Sequence, residues 1–423
     1  MNRTAERITD DLLRPLLHTT WKFYVAVFGL GAVVLVGIAT WFYQMYNGLG
    51  VTGDNWPVYW GFHETNFVFW IGISHAGTLI SAILRMVDAT WRRPVTRCAE
   101  AITAFALSIG ALFPLVHLGR PWYAWWLFPI PNQRHLWPNY RSPLTWDFFA
   151  SNTYLTGSLL FLILPMLPDF AVIRDRTGGL RKKIYGLLAM GWEGSPKQWH
   201  RLETAMHIMA IAIIPVAISV HTIVSYDFSM SVVPMWHSTI FGPYFVVGAI
   251  FSGIAALIIA MAILRKTLHL EEYLLPIHFQ NLGKLLLTMS LLWGYFVFNE
   301  RLTAWYGNGI SEMPAFWSTQ SGAYSPLFWT MVFCNFILPL PILGIRKLRT
   351  ITGTVIVSCG VVIGMWLERF LIIVPSLSHK ALPYSWGSYM PRWPEVVIFS
   401  ASICAMILLY TLFAKFIPII SIW

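Results

Sequence analysis

The stretch SPLTWDFFASNTYLTGSLLFLILPMLP, residues 142–168, is long and apolar enough to cross a bilayer, yet it carries an acid, Asp147, in its first turn. A crossing helix needs roughly 20 mainly apolar residues. The same opening returns 183 residues later as SPLFWTMVFCN, residues 325–335, with Thr330 in place of the acid. Nine further segments are as long and apolar, near 23–45, 66–87, 98–118, 203–225, 241–264, 282–303, 325–345, 351–374 and 395–417. The 423-residue chain is 57% hydrophobic and 11% charged, whereas soluble proteins carry about 25% charged residues. These features predict an all-α polytopic membrane protein with about ten transmembrane helices.

Residues 1–20 are polar and amphipathic, do not resemble a cleavable signal peptide, and are expected to form a helix on the membrane surface. Lys and Arg collect in cytoplasmic loops. With the amino terminus inside, 20 of the 29 basic residues fall in cytoplasmic segments and six in outer ones. The expectation is a bacterial inner-membrane protein with both termini cytoplasmic. The net charge of +10 is then a topology signal and gives no reason to invoke nucleic acid. Between the fourth and fifth spans, the long basic loop 169–202 reads as an interface segment near anionic lipids of the bilayer. Four cysteines (Cys98, Cys334, Cys359, Cys404) form no CxxC, so this chain offers no ligands for an iron–sulfur cluster or covalent c-type haem.

An internal repeat organises the spans. SHAGTLISAILR (74–85) resembles FSGIAALIIAMAILR (251–265), and HLGRPWYAWW (117–126) resembles NERLTAWY (299–306). With the two SPLxWxxxxxN motifs, three matches run in order at nearly one offset. Four spans per unit gives both copies the same orientation. The expected division is a surface segment 1–20, a first span and outer loop 21–65, a four-helix bundle 66–225, a second bundle 226–374, and a final loop, span and tail 375–423.

An ionisable group inside a span costs about 2.5–3.5 kcal/mol at the centre and is a functional candidate by default. By topology, His117, Asp147, His221 and Asp227 reach one level near the outer face of the first bundle, with His75 deeper. Asn299, Glu300 and Thr330 take the corresponding places in the second. A histidine and carboxylates at an apolar wall suit a hydrophobic substrate that loses protons on oxidation, such as a quinol. The blander alternative is that these acids cap helices or pair with Arg120, Arg134 and Arg141. On the cytoplasmic side, Arg85, Glu100, Glu203, His207 and Lys284 read either as half of a proton relay or as snorkelling helix ends. Haem ligation by His207 and His221, about 21 Å apart along one helix, is a further alternative, against which His75 is poorly placed. The Trp- and Pro-rich loop RPWYAWWLFPIPNQRHLWPNYRSP suits an aromatic belt, a docking face or a pocket lip.

ISHAGTLISAILR, HLGRPWYAWWLFPIPN, WPNYRSPLTWDFFASNTY and SVHTIVSYDFSMSVVPMWHSTIFGPYFVVGAIFSG resemble the NrfD/PsrC family of quinone-interacting membrane subunits. They are most similar to the ActC-type membrane subunits of bacterial alternative complex III. The resemblance covers spans two to eight and implies ten helices in two four-helix bundles. It implies a menaquinol site with catalytic residues His117, Asp147 and Asp227, near which His75, Arg120 and His221 are expected to contact the quinol. Menaquinol and menaquinone would be substrate and product. Electrons would pass to an iron–sulfur subunit and on to multihaem and monohaem cytochrome c subunits, beside a sister NrfD-like membrane subunit. The alternatives are the quinone-reactive anchor of another NrfD/PsrC-type oxidoreductase, or a redox-silent ion-translocating module.

Overall fold

The computed structural model describes residues 5–127 and 143–423. Within them an amphipathic helix, α1 (Ala5–Leu17), precedes ten helices long and apolar enough to span a membrane. These are α2 (Trp21–Asn47), α3 (Phe62–Met86), α4 (Arg93–His117), α5 (Pro143–Arg176) and α6 (Pro196–Ser229), followed by α7 (Phe241–Thr267), α8 (Pro276–Gly307), α9 (Ser325–Gly344), α10 (Ile351–Ser378) and α11 (Trp393–Phe416). Helix is the expected solution, because lipid offers no partner for an open backbone group. Local sequence sets the ends. Ser195 caps α6 by accepting from Gln198 N–H, Thr350 caps α10 by accepting from Gly353 N–H at 3.1 Å, and left-handed Asn308 closes α8.

Eight of the spans close into two rings. Helix α3 packs on α4, α4 on α5, α5 on α6, and α6 closes back on α3. The ring α7, α8, α9 and α10 closes in the same way. The rings meet where α3 packs on α7 and α10, and α6 on α7. Helices α2 and α11 pair outside, with α11 leaning on α4 and α3.

Helix α3 is thus the hub, buried on all sides over almost its whole length. Small residues let its neighbours approach closely. A Cβ at Gly77 would stand 2.0 Å from the Ala99 carbonyl, so only glycine admits α4 there. Beside it, the Thr103 hydroxyl accepts from Thr78 N–H at 2.8 Å and donates to the Ser74 carbonyl at 2.6 Å. A side chain from α4 thereby bridges two groups that an undistorted α3 would join directly.

One end of the molecule collects α1 and the segment following α11. Leu12, Leu13 and Leu16 of α1 are buried and α1 packs on α11, so part of its apolar face meets protein. Lys415 donates to the Pro15 and His18 carbonyls, and Tyr185 to the Phe416 carbonyl. A buried Arg97–Asp169 ion pair holds the tail: Arg97 also donates to the Pro418 carbonyl, and Asp169 accepts from Ile422 N–H. At the opposite end, called the loop end below, lie the connections 48–61, 230–240 and 379–392.

Removing one member of a buried ion pair leaves the other uncompensated, at a cost of about 3–5 kcal/mol. Arg97→Gln is therefore expected to lower the unfolding temperature in detergent sharply, read by tryptophan fluorescence. Arg176→Gln, which breaks the exposed Asp10 pair, should cost under about 1 kcal/mol.

Candidate functional site

The loop end of the first bundle gathers the acids. Asp147 sits in the first turns of α5 and Asp227 near the last residue of α6, and both are buried. Adjacent antiparallel helices bring a residue near the start of one level with a residue near the end of the other. The two carboxyl groups stand close together where α5 packs on α6. Among the described residues, none donates to Asp147 Oδ1 or to either oxygen of Asp227.

A third acid joins them from the hub: Glu64, in the first turn of α3, is 8% exposed and lies at the same end. Glu64 escapes the sequence reading, which starts the second span at residue 66 and leaves this acid in a loop. The helix begins four residues earlier, at Phe62. An acid within one turn of a predicted span start is the signal that could have found it.

His117 closes α4 beside this cluster without touching it. Its ring stands edge-on to Trp60, with centroids 6.1 Å apart, and close to His63. Trp60 stacks on Trp236 at 6.2 Å and 27°, and Phe228 meets Trp236 edge-on at 4.8 Å. Trp236 is held by donation to the Ile372 carbonyl at 2.7 Å. His63 is anchored through Gln44, which bonds its Nε2 at 3.2 Å and donates to the Val116 carbonyl at 3.0 Å. The result is an aromatic wall with an imidazole at one edge and three carboxyls near by.

The level foreseen for His117, Asp147, His221 and Asp227 divides in two. His221 lies deeper, with its ring 4.6 Å from that of His75, and both are fully buried. His75 Nδ1 donates to the Ile71 carbonyl at 2.6 Å. Tyr154 stacks on His75 at 4.8 Å and donates to the Ser74 carbonyl. Farther along α3, Ser81 donates to Glu100 at 2.5 Å, and Arg85 pairs with Glu203 at 3.2 Å. Polar side chains therefore line α3 from Ser74 to Arg85, with the apolar turns of Phe67, Val68 and Ile71 between them and Glu64.

Other candidates stand elsewhere. His207 and Lys284 are exposed on their helices and do not join these side chains on α3. His207 and His221 thus differ in environment, and no common interior face holds both for a pair of stacked haems. Arg120 is exposed beyond the end of α4. Arg134 and Arg141, foreseen as possible partners of the acids, lie outside the described residues. Among the described residues no group of three His, Cys, Asp or Glu is arranged to hold a metal ion.

Fold and site together define a polytopic helical membrane protein, built from two four-helix bundles, with an acid cluster at one end of the first. The profile of the NrfD family, described as polysulphide reductase NrfD, matches residues 50–381, and the chain belongs to that family. It is 23% identical over 373 residues to the Hdr-like menaquinol oxidoreductase integral membrane subunit of Archaeoglobus fulgidus, covering 84% of this chain and 79% of that protein. It is 25% identical over 248 residues to a putative dimethyl sulfoxide reductase membrane subunit of Halobacterium salinarum. That match covers 58% of this chain and spans about half of the relative, 53% of its length.

An acid that no protein donor satisfies stabilises nothing by its charge. Asp227→Asn supplies Asp147 with an N–H donor and is expected to leave the unfolding temperature unchanged or raised. A fall of several degrees in a detergent melt would assign Asp227 to the structure instead.

Proposed function

We propose that this chain is the quinol-oxidising membrane subunit of a menaquinol:electron-acceptor oxidoreductase of the alternative complex III type. The observation that carries this reading is the buried pair Asp147–Asp227, with Glu64, lying near an aromatic wall that ends in His117. A quinol is a flat apolar ring with a hydroxyl at each end. An aromatic wall suits the ring, and a basic group on either side suits the hydroxyls. His117 is assigned as first proton acceptor from one hydroxyl, and Asp147 with Asp227 as acceptor and relay for the other. His75 and His221, fully buried about two turns below Asp227, continue the polar lining inward.

Oxidation of the quinol releases two electrons and two protons. The electrons go to an iron–sulfur subunit, and from there to multihaem and monohaem cytochrome c subunits, with a sister NrfD-like subunit beside this one. The Lys and Arg bias supports a bacterial inner-membrane orientation with both termini cytoplasmic. That orientation puts the acid cluster on the outer side, so that quinol protons leave outward. The polar side chains farther along α3 and beside it, Thr78, Ser81, Glu100, Arg85 and Glu203, would contribute to proton translocation from the other side.

A second reading keeps the quinol site and changes the complex. The names of the two relatives, one from a dimethyl sulfoxide reductase and one from an Hdr-like menaquinol oxidoreductase, favour a quinone-reactive anchor of another NrfD-type oxidoreductase. Absorption spectra of the purified complex separate the two, since only the first predicts c-type haem bands from partner subunits.

Asp147→Asn and His117→Ala are each expected to reduce menaquinol oxidation by about 10²–10⁴-fold, the usual contribution of a positioned acid or base, while the complex still assembles. Steady-state assays on the purified complex measure this, and full activity in both variants would sink the reading.

A further inference from the structure

Beyond the acid cluster, at the loop end, one more buried carboxyl is poorly satisfied. Asp54, in the connection between α2 and α3, is 5% exposed, and among the described residues neither side-chain oxygen accepts a hydrogen bond of good geometry, the Gly61 backbone being the nearest donor. Buried polar groups are satisfied as a rule, and an exception calls for a reason. Its neighbour Glu395, on α11, shows what a structural acid looks like in the same place. Glu395 accepts from Gly53 N–H at 2.6 Å, from Arg392 N–H at 2.7 Å and from the Tyr389 hydroxyl, which itself accepts from Phe62 N–H at 2.8 Å. Those bonds tie two connections, 48–61 and 379–392, to the starts of α3 and α11. Asp54 makes no such tie.

We propose that Asp54 is a proton carrier that takes protons from the Asp147–Asp227–Glu64 cluster and releases them at the surface of the loop end. This rests on the quinol-oxidation reading above. The placement supplies the route. Asp147 stands beside Asp227, Glu64 lies in the first turn of α3, and Asp54 Oδ1 lies against Gly61, three residues before Glu64. The four carboxyls come from α5, α6, α3 and the 48–61 connection. Asn55 and Trp56, the residues after Asp54, are exposed, so the chain of acids ends next to water.

The groups facing Asp54 explain why it can carry a proton. Glu395 faces it from α11 and Glu64 from α3, both acids. The nearby cations are engaged elsewhere: Arg392 donates to the Gly50 carbonyl, and Lys380 lies 4.4 Å over the Trp56 ring. Burial first, then the charge of Glu395, pushes the Asp54 carboxyl well above the usual carboxylate range, against a smaller opposing effect of the Gly61 backbone. Gly61 keeps the place open. A Cβ there would stand 2.5 Å from Asp54 Oδ1 and 2.4 Å from Tyr389 Cε2. Any larger residue would press on the acid.

The balance is simple. The quinol loses two electrons to the iron–sulfur acceptor and two protons from its hydroxyls. A proton that reaches Glu64 passes to Asp54 and then to water, and each carboxyl returns to its starting state.

The test uses the whole complex in proteoliposomes. Asp54→Asn should assemble and bind a quinone-analogue inhibitor with unchanged Kd, because the acid makes no well-formed bond and lies away from the wall. Its menaquinol turnover should fall roughly ten-fold or more, with a larger solvent deuterium effect, and Asp54→Glu should restore most of the rate. Gly61→Ala should slow turnover in the same way while leaving the carboxyl present. Wild-type turnover and isotope effect in Asp54→Asn and Gly61→Ala, with Asp147→Asn inactive, would overturn the Asp54 route alone. Full activity in Asp147→Asn and His117→Ala as well would remove the quinol site and this route with it. Failure of Asp54→Asn to assemble would make Asp54 a structural residue and overturn the proposal too.

Discussion

In a bilayer, a polar side chain must find its partners inside the protein. Helix α3 carries more such side chains than lipid would tolerate, among them Glu64, Asn66, Ser74, His75, Thr78 and Ser81. The rest of the architecture answers that constraint by covering α3 on every side. Helices α4 and α6 belong to its own bundle, α7 and α10 come from the other, and α11 leans in from outside. The interface between the bundles is therefore the place where the polar hub is sealed. An interbundle bond marks the seam, where Trp366 of α10 donates to Asn66 of α3 at 2.9 Å, and on the outer side Trp70 of α3 donates to Ser402 of α11 at 3.0 Å.

The second bundle shows how the same scaffold serves without the acid pair. Its buried charge is Glu368 with Arg369 on α10, paired at 3.1 Å. Trp293 of α8 donates to Glu368, and Arg369 lies 4.6 Å over the Phe245 ring. Here an acid has a cation and a donor, as burial demands. In the first bundle, Asp147 Oδ1 and both oxygens of Asp227 have no donor among the described residues. The contrast between satisfied and unsatisfied acids singles out the first bundle more strongly than the number of acids does.

The repeated motif reads differently in three dimensions than along the chain. In α5, Asp147 is buried, whereas Asn152 is exposed and bonds its own turn at the Phe148 carbonyl. In α9, Thr330 is exposed and bonds the Pro326 carbonyl, whereas Asn335 is buried within a π-helical turn, Phe333–Ile337. The Ser290 hydroxyl donates to the Asn335 carbonyl at 2.6 Å. The motif thus presents its acid position inward in one copy and its amide inward in the other. Thr330 shows that this helix start forms without an acid, but it does not occupy the same environment as Asp147.

The sequence by itself determined the helical fold, the ten spans and their antiparallel order, because length and apolarity decide what lipid accepts. It also placed Asp147, Asp227 and His117 at one end, since depth follows from order along antiparallel helices. Only the tertiary structure decided which way each side chain faces. His207 and Lys284 have the right depth but are exposed, while His221 turns inward to His75. Tertiary contact also recruited Glu64 and Asp54, one at a helix start and one in a loop, where polarity alone carries no signal. Depth is a property of position along one helix, whereas partnership is a property of several helices packed together.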